Sequence, residues 1–228
     1  MARVVITGAN RGIGYALVER YAESGDTVLA LCRSVDKAVN LQGLAESSSG
    51  RVIVGAIDIS DQASVDQAAR LARGSVDILI NNAGILGGKD QSIENIDVDA
   101  WRNAFDVMAI GPFRVTRAFV PSLEKTKGKV IFISSQAAAS TWPYGGYYAY
   151  CSAKAAGNRV AQIMALDLRG KGISVASVHP GHVMTDMGGP AAEISPSESA
   201  AGIHGVAARL NLETSGAFFK WNGDRHAL

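Results

Sequence analysis

Tyr150 and Lys154 lie four residues apart, so that on a helix the phenol and the ammonium group share one face. A tyrosine with its ordinary pKa of about 10 is a poor base at neutral pH, but a nearby lysine favours the tyrosinate and lowers that pKa. Ser135 adds a hydroxyl that would bind a substrate oxygen, and the adjacent Ser134 is the less favoured alternative. Because Tyr-x-x-x-Lys pairs arise by chance on many helix surfaces, the pair predicts proton-transfer catalysis only together with further motifs.

A glycine-rich segment, residues 7–14 (TGANRGIG), joins the first predicted strand to the first predicted helix. Glycines there permit a tight turn and let the backbone approach a pyrophosphate, while the new helix offers unpaired N–H groups to that anion. The Gly-x-x-x-Gly-x-Gly spacing differs from the commoner Gly-x-Gly-x-x-Gly, and in isolation it fits a turn without a ligand equally well. Its position between a strand and an amphipathic helix favours a dinucleotide site. The residues of that site are Gly8, Asn10, Arg11, Gly12, Ile13 and Gly14.

The end of the second predicted strand indicates which dinucleotide would bind. NAD sites use a carboxylate there for the ribose 2′-hydroxyl, whereas NADP sites need a cation for the 2′-phosphate. Residues 29–34 (LALCRS) contain no acid, and Arg33 follows the strand directly. Arg11 would reach the same phosphate, which guanidinium groups bind through paired hydrogen bonds. We therefore expect NADP(H) to be preferred over NAD(H), with a solvated loop cation as the alternative role for Arg33.

Short β-branched runs alternate with helix-like stretches along the whole chain. We predict strands at 3–7, 27–32, 51–57, 76–80, 129–134, 173–178 and 217–221, and helices near 12–23, 35–45, 61–72, 97–125, 148–169 and 197–210. The apolar strands indicate a sheet covered on both faces. The sequence thus predicts an α/β fold of Rossmann type, a doubly wound sandwich with a seven-stranded, mostly parallel sheet and helices on both faces. Two loops, residues 84–95 and 180–196, follow strands at the edge where ligands bind in such sheets.

Composition and charge limit the classes of protein to which this chain can belong. The 228 residues are 47% hydrophobic and 19% charged, which is typical of a globular protein, and we expect one domain over 1–228. Its dinucleotide-binding part would span about 1–135 and its catalytic and substrate part about 135–228. A net charge of +1 disfavours nucleic acid as a partner, and apolar runs are too short for a membrane span. With two cysteines and a strand-like N-terminus in place of a signal peptide, we expect a cytoplasmic protein without a disulfide scaffold.

These motifs, in this order, resemble the short-chain dehydrogenase/reductase superfamily over essentially the whole chain. The resemblance rests on the glycine segment, Asp58-Ile59 after the third strand, Asn81-Asn82-Ala83-Gly84 after the fourth, Ser135, Tyr150 with Lys154, and Pro180-Gly181 after the sixth. Within the superfamily, residues 144–150 (YGGYYAY), 165–169 (ALDLR), 179–189 (HPGHVMTDMGG) and 215–223 (SGAFFKWNG) look like the C-factor/sniffer group of small carbonyl reductases.

The resemblance implies a role for each matching residue. Tyr150 would be the general acid in reduction and the base in oxidation, Lys154 would bind the nicotinamide ribose and tune Tyr150, and Ser135 would orient the carbonyl oxygen. The further cofactor residues would be Asp58 and Ile59 at the adenine, Asn82, Ala83 and Gly84 at the adenosine ribose and central sheet, and Pro180, Gly181, Val183 and Thr185 at the nicotinamide. The expected partners are a small carbonyl or alcohol substrate and, by analogy, further copies of the chain in a homodimer or homotetramer. No metal is expected, because His179 and His182 lack further ligands nearby in sequence.

One position departs from the family pattern. The family places an asparagine three residues before the glycine in the helix after the fourth strand, as part of a proton relay through water to the lysine. Counting back from Gly111 gives Met108, and Asn103 is more than a helical turn away. Because the backbone carbonyl carries part of the relay, we expect activity to be retained, with Met108 as the residue that would slow it. Met108 and the family's link to intercellular signalling also motivate a second hypothesis, a cofactor-binding regulatory protein with weak or vestigial catalysis.

Overall fold

The structure, a computed structural model, describes residues 1–72 and 74–228. Its strands are β1 (Arg3–Thr7), β2 (Thr27–Cys32), β3 (Val52–Ala56), β4 (Ile78–Asn81), β5 (Lys129–Ile133), β6 (Ser174–His179) and β7 (Phe218–Lys220). They form one seven-stranded sheet in the order β3-β2-β1-β4-β5-β6-β7, with every neighbouring pair parallel. The predicted doubly wound sheet is confirmed, and it is parallel throughout. The strand order changes direction between β1 and β4, which is the point where such sheets open a crevice for a ligand.

Helices cover both faces of this sheet. They are α1 (Gly12–Glu23), α2 (Val39–Ser47), α3 (Gln62–Leu71), α4 (Val98–Phe105), α5 (Gly111–Glu124), α6 (Tyr148–Asp167) and α7 (Pro196–Arg209). On one face the buried side chains include Leu17, Tyr21 and Ile203, and on the other they include Phe119 and Leu123. This two-sided burial explains why the strands lack a polar face, β6 being buried at every residue. None of the helices in the described ranges is long and apolar enough to cross a membrane.

The helix predicted over 97–125 is continuous but not regular. A five-residue π-type segment, Asp106–Ile110, separates α4 from α5. Its Met108 carbonyl lies against Gly157 of α6, where a Cβ would come within 2.7 Å of that oxygen. Turns of this kind inside α-helices are often found at functional sites. A periodic sequence pattern does not distinguish the π turn from an α-helix, so the prediction missed it.

The glycine turn between β1 and α1 packs directly against the end of β4. A Cβ at Gly14 would overlap the carbonyl oxygen of Gly8 and lie 2.5 Å from Nδ2 of Asn82. That same Nδ2 donates hydrogen bonds of 3.0 Å to the carbonyl oxygens of Thr7 and Gly8. A side chain larger than hydrogen at position 14 would therefore displace the contact that joins the ends of β1 and β4.

We expect Gly14→Ala to lower the free energy of unfolding by about 1–3 kcal/mol, because the added methyl group overpacks this contact. Gly43→Ala is the matched control, since Gly43 is exposed in α2 and no atom lies within 4 Å of its Cβ position. Alanine favours a helix interior, so the control should raise the stability by about 0.5–1 kcal/mol. Urea denaturation measures both values. Equal effects of the two substitutions would contradict the close packing at Gly14.

Candidate active site

The glycine turn leaves the start of α1 open to an anion. Gly8 and Gly12 have φ values of 64° and 54°, which are costly for residues with a Cβ. The helix begins at Gly12, and no side chain caps its N-terminus or places a carboxylate in its first turn. The first N–H groups of a helix have no intrahelical acceptor and carry the positive end of the helix dipole. This turn therefore has the backbone geometry and the polarity that a phosphate group requires.

Asn82 holds the glycine turn against the neighbouring strand end. Besides its two side-chain hydrogen bonds to the turn, its backbone N–H donates to Oγ1 of Thr7 at 3.1 Å. The N–H of Ala83 donates to the same hydroxyl at 3.2 Å. Gly84 follows, and a Cβ there would lie 3.6 Å from Nζ of Lys154. The segment predicted to support the adenosine ribose thus joins the glycine turn to the lysine.

The predicted adenine and phosphate residues lie at the surface end of β2 and β3. Arg33 is exposed and makes no ion pair or hydrogen bond within the described ranges. Asp58 is exposed after β3 and its carboxylate accepts a 2.9 Å hydrogen bond from the N–H of Ser60. Ile59 beside it is buried. The guanidinium of Arg11 instead pairs with the carboxylate of Asp186, in the loop after β6, at 2.7 Å.

The loop after β6 is held by hydrogen bonds to α7 and within the loop itself. The Pro180 carbonyl accepts a 2.7 Å bond from the Ser199 hydroxyl of α7. The N–H of Met184 donates to the carbonyl of Ile194, and Val183 is buried. The Thr185 methyl group would lie 3.2 Å from a Cβ at Gly12. Thr185 therefore brings the loop that contains Pro180, Gly181 and Val183 back to the glycine turn.

Ser135, Tyr150 and Lys154 meet where β5 ends. Ser135 follows β5 and accepts a hydrogen bond from the N–H of Ala137 at the start of a short 3-10 turn. Lys154 is buried in α6, and its Nζ donates a 2.6 Å hydrogen bond to the carbonyl of Ile133 in β5. The same Nζ lies 6.0 Å from the centre of the Tyr150 ring. The predicted hydroxyl, phenol and ammonium groups are thus neighbours.

Burial is the main influence on the pKa values of Lys154 and Tyr150. Burial lowers the pKa of Lys154 to about 8, because the ammonium form loses its hydration. Burial also raises the pKa of the Tyr150 phenol, and a side-chain hydrogen-bond interaction with Ser135 opposes that rise. The predicted lowering of this pKa also depends on the positive charge of an oxidised nicotinamide beside the ring. The protein's own groups stabilise the phenol in its protonated form, which is the form that donates a proton.

Gln91 contacts the helix that carries Tyr150, and the sequence does not predict this contact. Its side chain is buried in the loop after β4, and Nε2 donates to the carbonyl of Leu86 at 2.8 Å. Its Oε1 accepts a 3.1 Å hydrogen bond from the backbone N–H of Tyr150. This N–H belongs to the first turn of α6, which has no side-chain cap of its own. Gln91 therefore fixes the start of the helix that carries the tyrosine, through a contact that local spacing does not reveal.

Met108 occupies the position where the family pattern has asparagine. It is 3% exposed, and its Sδ would lie 3.7 Å from a Cβ at Gly84. Its side chain thus packs beside Gly84, close to Lys154. The Met108 carbonyl faces Gly157 in α6, so the backbone oxygen remains close to the helix of the lysine.

Comparisons with known proteins agree with this geometry. The family model for the short chain dehydrogenases matches residues 2–194. The C-signal protein of Myxococcus xanthus is 39% identical over 160 residues, covering 68% of this chain and 95% of that protein. A protein of Rhodococcus sp. (strain AD45), 1-hydroxy-2-glutathionyl-2-methyl-3-butene dehydrogenase, is 30% identical over 225 residues and 96% of each chain.

Solved structures extend the likeness to the whole chain. The NADPH-bound carbonyl reductase from chicken fatty liver is 32% identical, with a TM-score of 0.92 over 100% of this chain and 99% of that one. The carbonyl reductase Sniffer of D. melanogaster is 26% identical, with a TM-score of 0.93 over 100% of both chains. With its sheet order, glycine turn and Ser-Tyr-Lys group, the chain belongs to the short-chain dehydrogenase family of oxidoreductases.

Proposed function

We propose that the protein is an NADP(H)-dependent oxidoreductase that transfers a hydride between the nicotinamide and the carbonyl or alcohol carbon of a small to medium organic substrate. The observation that supports it best is the meeting of Ser135, Tyr150 and Lys154 at the end of β5. The chain would act as one domain, with the cofactor on the first part, about 1–135, and the catalytic helix on the rest. Its two cysteines are free thiols, which fits the cytoplasmic location expected from the sequence.

The residues at the glycine turn suit a dinucleotide. Gly8 and Gly12 give a backbone without side chains, and α1 offers uncapped N–H groups for the pyrophosphate. Arg33 and Arg11 are both exposed and stand close to the ends of β2 and β1. Pro180, Gly181, Val183 and Thr185 would hold the nicotinamide end, with Asn82, Ala83 and Gly84 supporting the ribose and Asp58 with Ile59 the adenine. Bound there, the cofactor supplies or accepts the hydride.

The chain's own groups complete the reaction by moving one proton. In reduction, Ser135 donates a hydrogen bond to the carbonyl oxygen and orients it. Tyr150 then gives its phenolic proton to that oxygen as the carbon receives the hydride, which yields the alcohol and a tyrosinate. Lys154 is close enough to stabilise the tyrosinate charge, at 6.0 Å from Nζ to the ring centre. Oxidation of an alcohol runs through the same steps in reverse, with the tyrosinate as base.

Tyr150→Phe should abolish turnover and leave cofactor affinity nearly unchanged. Removing a general acid costs about 100-fold or more in kcat. We would measure NADPH consumption over a panel of aldehydes, ketones, diketones and quinones, with NADPH binding titrated on the same samples. Tyr147→Phe is the matched control, since Tyr147 is exposed three residues before Tyr150 and also loses only a hydroxyl. Turnover of Tyr150→Phe at the wild-type rate would contradict the assigned role.

Arg33 would determine the preference for NADPH. A guanidinium on the 2′-phosphate contributes a charge-assisted hydrogen bond, so Arg33→Ala should weaken NADPH binding by about 10- to 100-fold and leave NADH binding nearly unchanged. Arg70→Ala, at an exposed site on α3, tests for a general charge effect. Fluorescence titration with each cofactor gives the two dissociation constants. An equal loss of affinity for NADPH and NADH would contradict a contact with the 2′-phosphate and indicate that Arg33 is a solvated loop cation.

A regulatory or signalling protein that binds the cofactor with weak catalysis is the second candidate. Met108 in place of the relay asparagine favours it, as does the 39% identity to a protein named C-signal. The two functions predict different results in the panel assay above. NADPH binding without turnover in the wild-type protein would support the regulatory function, whereas turnover that depends on Tyr150 supports the oxidoreductase. The complete Ser-Tyr-Lys group is why we place the oxidoreductase first.

We further propose that the protein self-associates through α5 and α6, as a homodimer or homotetramer. Apolar side chains are exposed along the outer sides of these contacting helices and the π segment: Ile110 at 46%, Phe113 at 39%, Ile163 at 44% and Leu166 at 72%. Leu166→Glu should shift the protein to a monomer in light scattering after size exclusion, because it places a charge in an apolar contact. Val39→Glu, at an apolar position of α2 with 69% exposure, should leave the assembly unchanged. A wild-type monomer would refute this interface.

A further inference from the structure

A small polar cavity lies beside the buried Lys154. Its volume is about 10 Å³, which is enough for one water molecule. It is lined by polar residues from three elements, namely Asn81 at the end of β4, Ser134 after β5, and Lys154 with Asn158 in α6. Met108 and Gly157 form part of the remaining wall. None of the polar residues except Lys154 has a role in the chemistry described above.

Four side-chain atoms around this cavity are buried and have no hydrogen-bond partner within residues 1–72 and 74–228. They are Oδ1 of Asn81, Oγ of Ser134, and both Oδ1 and Nδ2 of Asn158. Asn81 is held in place from its other end, because its Nδ2 donates a 3.0 Å hydrogen bond to Oγ1 of Thr116. Buried polar groups in proteins are nearly always hydrogen-bonded, to protein or to ordered water. A group of such atoms around a cavity of this size therefore indicates a bound water.

The lysine supplies the matching donor. An ammonium group has three N–H donors, and one of those of Lys154 is directed to the Ile133 carbonyl. A second is available to a water in the cavity that Lys154 itself lines. That water would donate its two protons to the amide oxygens of Asn81 and Asn158, and accept a further bond from Ser134 or from Nδ2 of Asn158. One water thus satisfies three of the four side-chain atoms that the protein alone leaves without a partner.

We propose that Asn158 is a positioning residue for the reaction: with Asn81 and Ser134 it holds one ordered water against the Lys154 ammonium and so sustains the charge of that lysine. This inference rests on the proposed function for its kinetic consequence, but not for the water itself. Asn158 lies one helical turn after Lys154, 4% exposed, on a stretch of α6 whose other buried neighbours are Ala153 and Gly157. An amide at this position contributes little to apolar packing, and hydrogen bonding explains its burial better.

The other groups around Lys154 carry no competing charge. From β4 and β5 the neighbours are Asn81, Ile133 and Ser134, and from the π segment and α5 they are Met108 and Pro112, all uncharged. On α6 itself, the titratable groups within a turn are Tyr150 and Cys151, and burial raises the pKa of each. Burial lowers the pKa of Lys154 to about 8, so loss of a water that accepts from the ammonium should lower it further.

A crystal structure of the full-length protein at high resolution tests the water directly. We expect a single well-ordered density peak within hydrogen-bond distance of Nζ of Lys154 and the side chains of Asn158 and Asn81. Asn158→Leu, which replaces the amide by an apolar group of similar size, should lose that peak. This result does not depend on turnover or on a bound cofactor. An absent peak in the wild-type structure overturns the proposal.

The pH profile tests what the water does. In the reduction direction, kcat/KM should fall as the pH rises through the pKa of Lys154, because the ammonium form is the active one. This fall is the alkaline limb of the pH profile. Asn158→Leu should move this alkaline limb down by about one pH unit, since a hydrogen bond to the charged form is lost. Asn158→Asp should move it up, because a carboxylate favours the ammonium. Opposite shifts from one position would not arise from a merely structural role.

Met164→Ala is the control for lost packing. Met164 is buried in the same helix but belongs to the apolar core, so its truncation should lower stability and leave the alkaline limb in place. Thermal unfolding of each variant shows whether it is folded at the assay temperature. Unshifted limbs in both Asn158 variants would overturn the positioning role. A wild-type protein with the density peak but without turnover would refute the proposed function and leave the water site established.

Discussion

Lys154 carries an ammonium group into the interior of the protein, where 7% of the residue is exposed. A buried charge is stable only when polar groups replace the hydration that it loses. The carbonyl of Ile133 provides one such group, and it belongs to the last residue of β5. The position of α6 over the sheet is therefore coupled to the register of β5, and with it the position of Tyr150. Because its buried charge requires polar partners, Lys154 fixes the position of α6 in addition to its proposed part in the chemistry.

The part of the site around the glycine turn is also held together by hydrogen bonds between polar groups. Asn82 at the end of β4 closes onto the carbonyls of Thr7 and Gly8 at the end of β1, where the strand order changes direction. These hydrogen bonds keep the turn compact while α1 remains uncapped. Gly84, two residues later, approaches Lys154. A short segment after one strand thus links the anion-binding turn to the buried lysine, and the two halves of the site share a rigid frame.

The sequence predicted the sheet, the glycine turn and the Tyr150–Lys154 pair because each is encoded locally. Strands covered on both faces are apolar throughout, and Tyr150 and Lys154 are adjacent on any helix. The contact between Gln91 and Tyr150 was not predictable, since it joins residues 59 positions apart through a loop without periodicity. The same holds for the cavity at Asn158, which exists only where β4, β5 and α6 converge. A polar residue in a helix pattern is normally assigned to the solvent, and only tertiary packing shows that this one is buried.

The groups that line the cavity beside the Lys154 ammonium differ in polarity. Met108 offers a polarisable but nearly non-accepting sulfur, whereas Asn81 and Asn158 offer amide oxygens. An ammonium group in such a setting turns its donors toward the acceptors, which are the Ile133 carbonyl and the cavity. The methionine sulfur therefore adds little to the hydrogen bonding of this lysine. Replacement of the relay asparagine does not remove the polar surroundings of the lysine, because residues from β4, β5 and α6 supply them independently of position 108.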